Sequence, residues 1–314
     1  MATTTAPALR LSALPPATGR AGLAGALRSE FTKLRSVRST YWTLLAMVVV
    51  SVGIGAAISG GVSANWSQMS PGDKATFDAT QVSLFAFFQL GQLVLAVLGA
   101  LAITSEYSTG MIRTSLTAQP RRGTVYAAKL IVFTTVALIV SLVTSFTAFF
   151  VGQAAMSGSG VSASLFHSVT IPANAIMSAP AGGPGNGPPN VTFSGTTVIS
   201  PGTVLTAIIG CALFVTVAGL IAFALGSIIR HTAGAITSAI GLLFVLPVIV
   251  AILPDTWRWD MMRFFPDAAG RVLSVTIGQH NPHLWSAWPQ FGVTLLYAVV
   301  LLAVGAYLFR KRDA

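Results

Sequence analysis

Charge is what this 314-residue sequence has least of. Asp, Glu, Lys and Arg make up 8% of it and hydrophobic residues 54%, where a water-soluble domain carries roughly a quarter charged residues. That imbalance excludes an ordinary soluble enzyme. Cysteine is as scarce: Cys211 stands alone inside an apolar run, which excludes a disulfide framework and a cysteine metal cluster and leaves it the part of a small apolar residue. Residues 1–26 hold no acidic side chain and no continuous apolar core of the secretory kind. They read as a floppy tail, with a transit peptide as the alternative. No GxxxxGK[ST] phosphate loop occurs anywhere, and the apolar runs hold no HExxH, GxSxG or paired Asp, so the chain has no evident means of using ATP or of hydrolysing a bond.

What remains is apolar sequence in long runs. A bilayer core about 30 Å thick needs about 20 apolar residues in a helix rising 1.5 Å per residue. Six runs meet that need, at 43–60, 82–104, 130–150, 204–229, 232–253 and 291–309, and none contains Asp, Glu, Lys or Arg. The expected fold class is an all-α membrane protein with six transmembrane helices, residues 27–314 forming one domain. Small residues recur at helical packing distance, Ser51, Gly55 and Ser59 in the first run and Gly234, Ser238 and Gly241 in the fifth, a spacing that lets backbones approach for bundle assembly or dimerisation. Pro247 is expected to bend the fifth helix.

With the charges confined to connections and tails, their sidedness is countable. One side receives Arg10, Arg20, Arg28, Lys33, Arg35, Arg38, Arg113, Arg121, Arg122, Lys129, Arg230, Arg310, Lys311 and Arg312 against only Glu30, Glu106 and Asp313. The other receives four basic and five acidic residues. The positive-inside rule then places both termini in the cytoplasm. Such a balance fits topology and anionic headgroups rather than nucleic acid, which needs a basic folded face interleaved with stacking aromatics.

Between these runs the connections differ in kind. In LRSEFTKLRSVRSTYW, residues 27–42, Leu27, Phe31, Leu34 and Tyr41 share one helical face flanked by Arg28, Lys33 and Arg35, the pattern of an interfacial helix; a plain extension of the first span is the alternative. The outer loop 151–203 carries no charge and centres on PAGGPGNGPPN, which cannot sustain regular structure, with short strands expected near VTFSGTTVI. The segment 254–288 mixes Trp257, Trp259, Phe264, Phe265, Trp285 and Trp288 with charges, suiting re-entrant or surface-lying outer helices between spans five and six. His280 and His283 read as interfacial rather than as metal ligands, since Pro282 interrupts the helix that would align them.

The connection 105–124 is the most specific. It offers a carboxylate at the helix exit, Glu106, then Gly110, a short amphipathic turn over 110–116 with Ser108 or Thr109 as cap, and Pro120-Arg121-Arg122 restarting a helix. No intramembrane ionisable group offers ion coupling, so energy has to come from outside the chain.

Three stretches, SEFTKLRSVRSTYW, SEYSTGMIRTSLTAQPRRGTVYAAKL and the terminal GAYLFRKRDA, resemble the membrane-spanning permease subunits of type-2 ATP-binding-cassette (ABC) exporters, those of actinobacterial type in particular. The resemblance implies an interfacial helix containing Phe31, Lys33, Leu34 and Arg35, a coupling helix between spans two and three, and re-entrant outer helices. It implies Glu106, Gly110, Arg113, Pro120 and Arg121 at or near the contact with an ABC ATPase. It further implies a pathway subunit, not an enzyme and with no cofactor of its own, in a plasma membrane. Its partners would be two ATPase subunits that bind the ATP, a second permease copy or homologue, and membrane lipids. Uncharged spans point to an amphipathic or hydrophobic cargo, a lipid, peptide or drug. The alternative function is a membrane scaffold or sensor that recruits partners through its basic surface.

Overall fold

The computed structural model describes residues 22–70, 73–74, 77–118, 121–159, 163–166, 168–171, 197–276 and 284–311. The PAGGPGNGPPN stretch, Pro120, His280 and His283 lie outside them. Six described helices are long and apolar enough to cross a membrane: α2 (Arg38–Ala64), α3 (Ala79–Ser108), α5 (Arg122–Met156), α6 (Pro201–Ile229), the fifth span and α11 (Ala287–Lys311). The chain is a multi-pass membrane protein.

Four of the six helices overrun their expected ends on both sides, while α6 starts three residues early but ends at Ile229 as expected, and the fifth span starts at Thr232 as expected and ends at Ala251, two residues short. α5 is the largest departure. It begins at Arg122, eight residues before the expected 130, so Lys129 lies inside a span that was expected to be free of charge. The outer loop is correspondingly shorter, since α5 runs on to Met156 and α6 starts at Pro201, with Ser200 accepting from the Thr203 N–H as its cap. Within that loop, β1 (Val169–Ile171) pairs antiparallel with β2 (Thr197–Ile199) in the register Val169↔Ile199.

α6 is the axle of the bundle. It packs on α3, α5 and α11, on the first part of the fifth span (Thr232–Ile240) and on the short helix Asp267–Leu273, and 78% of its most apolar stretch is buried against 17% for α11. The crossing with α3 is the tightest: a Cβ on Gly99 would lie 2.2 Å from the Gly219 carbonyl oxygen, and one on Gly226 would lie 3.0 Å from that of Ala100. Around it Phe223 stacks on Phe133 and meets Tyr126 edge-on. On α2, Ser51, Gly55 and Ser59 are buried as their spacing implied, with Gly55 against Ser83 and Ser59 against Gly152.

The fifth span shows two features the run of apolar residues did not indicate. Its buried face is Ala235, Ala239 and Leu243, one position round from Gly234 and Ser238, while a Cβ on Gly241 would meet nothing within 4 Å. The helix also changes type ahead of Pro247. It runs as α7 (Thr232–Ile240), widens into a π-helical turn over Gly241–Val245 and resumes as α8 (Leu246–Ala251) with Pro247 in its first turn. Proline has no N–H for the carbonyl four residues earlier and crowds it, and a wide turn absorbs that conflict.

Beyond α8 come two short helices, α9 (Asp255–Met262) and α10 (Asp267–Leu273). α10 packs on α6 and α11 through Ala268, Ala269, Gly270 and Leu273, all buried. α9 leaves Trp257 exposed.

Candidate functional site

The basic ends of α2, α5, α6 and α11 lie at the same end of the bundle as the Glu106 end of α3. There the α3 helix stops at Ser108 because the chain turns left-handed at Gly110, whose φ is +70°, a region open to glycine at no steric cost. The Ser108 and Thr109 hydroxyls both donate back to the Ser105 carbonyl. They finish the helix behind them, and do not cap the one ahead as the sequence suggested. α4 (Met111–Ala118) follows as the short amphipathic helix, starting one residue after the expected Gly110 and running two past Leu116. Ile112 is buried while Met111, Thr114 and Thr117 are exposed. α4 leans only on the ends of α3 and α5 for its principal contacts. Arg113 lies within α4. Arg121, exposed, is the N-terminal flank of α5.

Glu106 has a different setting from its neighbours. It is buried, and its Oε1 accepts from both Lys129 and Lys33, the latter at 3.1 Å. Lys129 also reaches Glu30 Oε2 at 2.7 Å, and Lys33 reaches Glu30 Oε1 at 2.8 Å. Two carboxylates and two ammonium groups from three helices therefore alternate around a closed ring. Glu30, Glu106 and Lys129 side chains are 6–8% exposed and Lys33 33%. Burial pulls the Lys33 pKa down, but its hydrogen bond to Glu30 and the charges of Glu106 and Glu30 outweigh that and leave it above the ordinary 10.5.

The ring seats α1 (Leu23–Ser36), which a break at Val37 separates from α2. A separate helix is thus present over part of the expected 27–42, beginning four residues before 27 and ending at Ser36, so that Tyr41 belongs to α2 and not to the apolar face of α1. It has three faces. Ala26 and Glu30 are buried toward the bundle, Leu23 and Phe31 are exposed and apolar with the half-buried Leu27 and Leu34 beside them, and Arg28, Thr32 and Arg35 are exposed and polar.

Two further ties close this end. Arg230, at φ 58°, stacks over the Tyr107 ring at 5.0 Å and donates to the Leu308 carbonyl. Arg310 lies against Gly123, where a Cβ would stand 2.8 Å from its guanidinium. At the opposite end, buried Asp78 caps α3 by accepting from the Thr80 and Gln81 N–H groups and also takes the N–H and hydroxyl of Thr276. Among the described residues, no three His, Cys, Asp or Glu are placed to hold a metal ion.

The sequence reading missed the ring and the Asp78 tie. Its one available signal was that Glu30 and Glu106 are acids on a side that is otherwise basic.

Residues 26–180 match the model of the ABC-2 family transporter protein, a stretch that holds α1 to α5 and the whole ring. No curated protein matches the chain. That match, over just under half of the chain, together with six membrane-length helices, supports a membrane permease subunit of the ABC-2 transporter type.

Proposed function

We propose that the chain forms half of a paired pathway that exports an amphipathic or hydrophobic cargo, a lipid, peptide or drug, across the plasma membrane of a bacterial cell. Its basic end faces the cytoplasm, in accord with fourteen basic residues against three acidic ones on that side. Two ABC ATPase subunits bind and hydrolyse the ATP there, docked on the 105–124 segment. The observation that carries this reading is α4: eight residues on a left-handed glycine, with its principal contacts among the described residues on the ends of α3 and α5, and with Met111, Thr114 and Thr117 exposed. A push on that exposed face bears on the end of α3, which lies along the central α6, so it tilts the pair at the heart of the bundle.

The test is a photo-crosslinking amino acid at Thr114 in the full chain, co-expressed with a candidate ABC ATPase from the same genome. Crosslinks to the ATPase are expected, and Met111→Asp is expected to abolish them while the chain still inserts and remains monodisperse. Crosslinks to lipid alone, with the ATPase bound elsewhere or not at all, overturn the proposal.

A further inference from the structure

We infer that Glu30, Lys33, Glu106 and Lys129 are positioning residues whose closed ring fastens α1 to the ends of α3 and α5, so that these three move as one body and only α4 moves against them. The fastening stands on geometry alone, whereas its value as a fixed base for α4 rests on the function proposed above.

Three observations lead there. First, the ring is the main hold on α1: only Ala26 and Glu30 of that helix are buried, and Ala26 offers a single methyl group. Second, the charges alternate completely. Each lysine touches both glutamates and each glutamate both lysines, so any one removal leaves a buried charge without its counter-charge, while the intact set is neutral. A buried ion set of this kind is a weak source of stability, because desolvation consumes most of the attraction. What it does supply is one geometry for three helices. Third, the ring lies on the α3 side of Gly110. Glu106 is one turn before that left-handed residue, and α4 begins immediately after it. The stiff junction and the free element are thus separated by the one described residue of the connection whose backbone is glycine in the left-handed region.

The ring also assigns α1 a task. Its apolar face, Leu23 and Phe31, and its basic face, Arg28 and Arg35, suit the headgroup boundary. A helix held by that boundary and locked to α3 and α5 resists their displacement when α4 is pushed, so the push turns into tilt.

The experiment uses the full chain, with Cys211 replaced by alanine, in nanodiscs of phosphatidylcholine and phosphatidylglycerol. Nitroxides at Thr32→Cys on α1 and Ser105→Cys on α3, both exposed in the native chain, report the distance between helices. A single narrow distance is expected. Lys129→Met is expected to lose it, giving a broad distribution in protein that remains monodisperse. Inverting all four charges, Glu30→Lys, Lys33→Glu, Glu106→Lys and Lys129→Glu, restores every opposite pair and is expected to restore the narrow distance. A merely bulky core role for Lys129 would not be rescued in that way. A narrow distance in Lys129→Met, or a broad one in a folded fourfold inversion, overturns the fastening without touching the ATPase proposal. With the ATPase and nucleotide added, the 32–105 distance is expected to stay fixed while a 105–114 pair changes. Movement of the first overturns the idea of a fixed base.

Discussion

Gly99→Ala is a one-carbon change whose sign follows from the α3–α6 crossing. The added Cβ would lie 2.2 Å from the Gly219 carbonyl oxygen and 3.1 Å from the Phe223 nitrogen, where ordinary contact begins at 3.4 Å. Both are backbone atoms, so no side-chain rotation relieves the clash and the helices have to part by about 1.2 Å at that point. Parting by about 1 Å forfeits a quarter to a half of the dispersion well for each pair that faces the gap. Leu95, buried against Gly219 at the same seam, loses contacts with it. Overpacking of this kind costs about 1–3 kcal/mol, whereas replacing glycine by alanine within a helix gains about 1 kcal/mol. Because both clashing atoms are backbone the cost lies toward the upper end of that range, and the expected net loss is about 2 kcal/mol.

The control is the same substitution at Gly53, where a Cβ meets nothing within 4 Å and only the propensity gain applies. Gly226→Ala, 3.0 Å from the Ala100 carbonyl, falls between them. Thermal unfolding of the detergent-solubilised chain ranks the three, at a scale of about 2–4 °C per kcal/mol for a chain of this general size. Gly99→Ala is expected to melt lowest and Gly53→Ala at or above the native chain. A Gly99→Ala protein as stable as the native one, or a Gly53→Ala protein that falls equally far, refutes the close crossing.

Three other outcomes follow from single residues. Gly110→Ala meets no atom within 4 Å yet must hold φ at +70°, so it is expected to cost about 1–2 kcal/mol of backbone strain and to displace α4, with Gly110→Asn milder; equal hydrogen exchange across residues 105–118 in all three proteins would contradict this. Asp78→Ala removes the α3 cap and the acceptor for Thr276, an expected loss of about 2 kcal/mol or more, visible as faster protease cleavage near 274–276, and Asp78→Asn is expected to keep part of the cap. Lys33 has its pKa raised above 10.5, so its contribution to seating α1 is complete below that pH and is lost as pH rises through the higher folded value. The 32–105 distance is therefore expected to be unchanged from pH 6 to 9 and to broaden only in stronger alkali.

The six spans were legible because lipid forbids unpaired charge, and a run without charge marks itself. The same rule misplaced their ends. Lys129 looked like the boundary of the third span, yet the helix carries it as an ordinary member because Glu30 and Glu106 neutralise it. A rule that counts charge cannot see a partner 99 residues away. The α3–α6 seam was hidden for another reason: α6 is apolar on every side, so Gly219 and Gly226 stand out from no background, whereas the seam on α2 showed because Ser51 and Ser59 are polar among aliphatic neighbours. α4 could be read almost to the residue, since a left-handed glycine and a short amphipathic run are local properties. The ring is not local, but it left a trace in composition. On a side with fourteen basic residues an acid serves no topological purpose, and of the three there, the two within the described residues, Glu30 and Glu106, are both in the ring. In a basic membrane end, the minority charge is thus the better pointer to where helices are joined, because only a structural partner explains its presence.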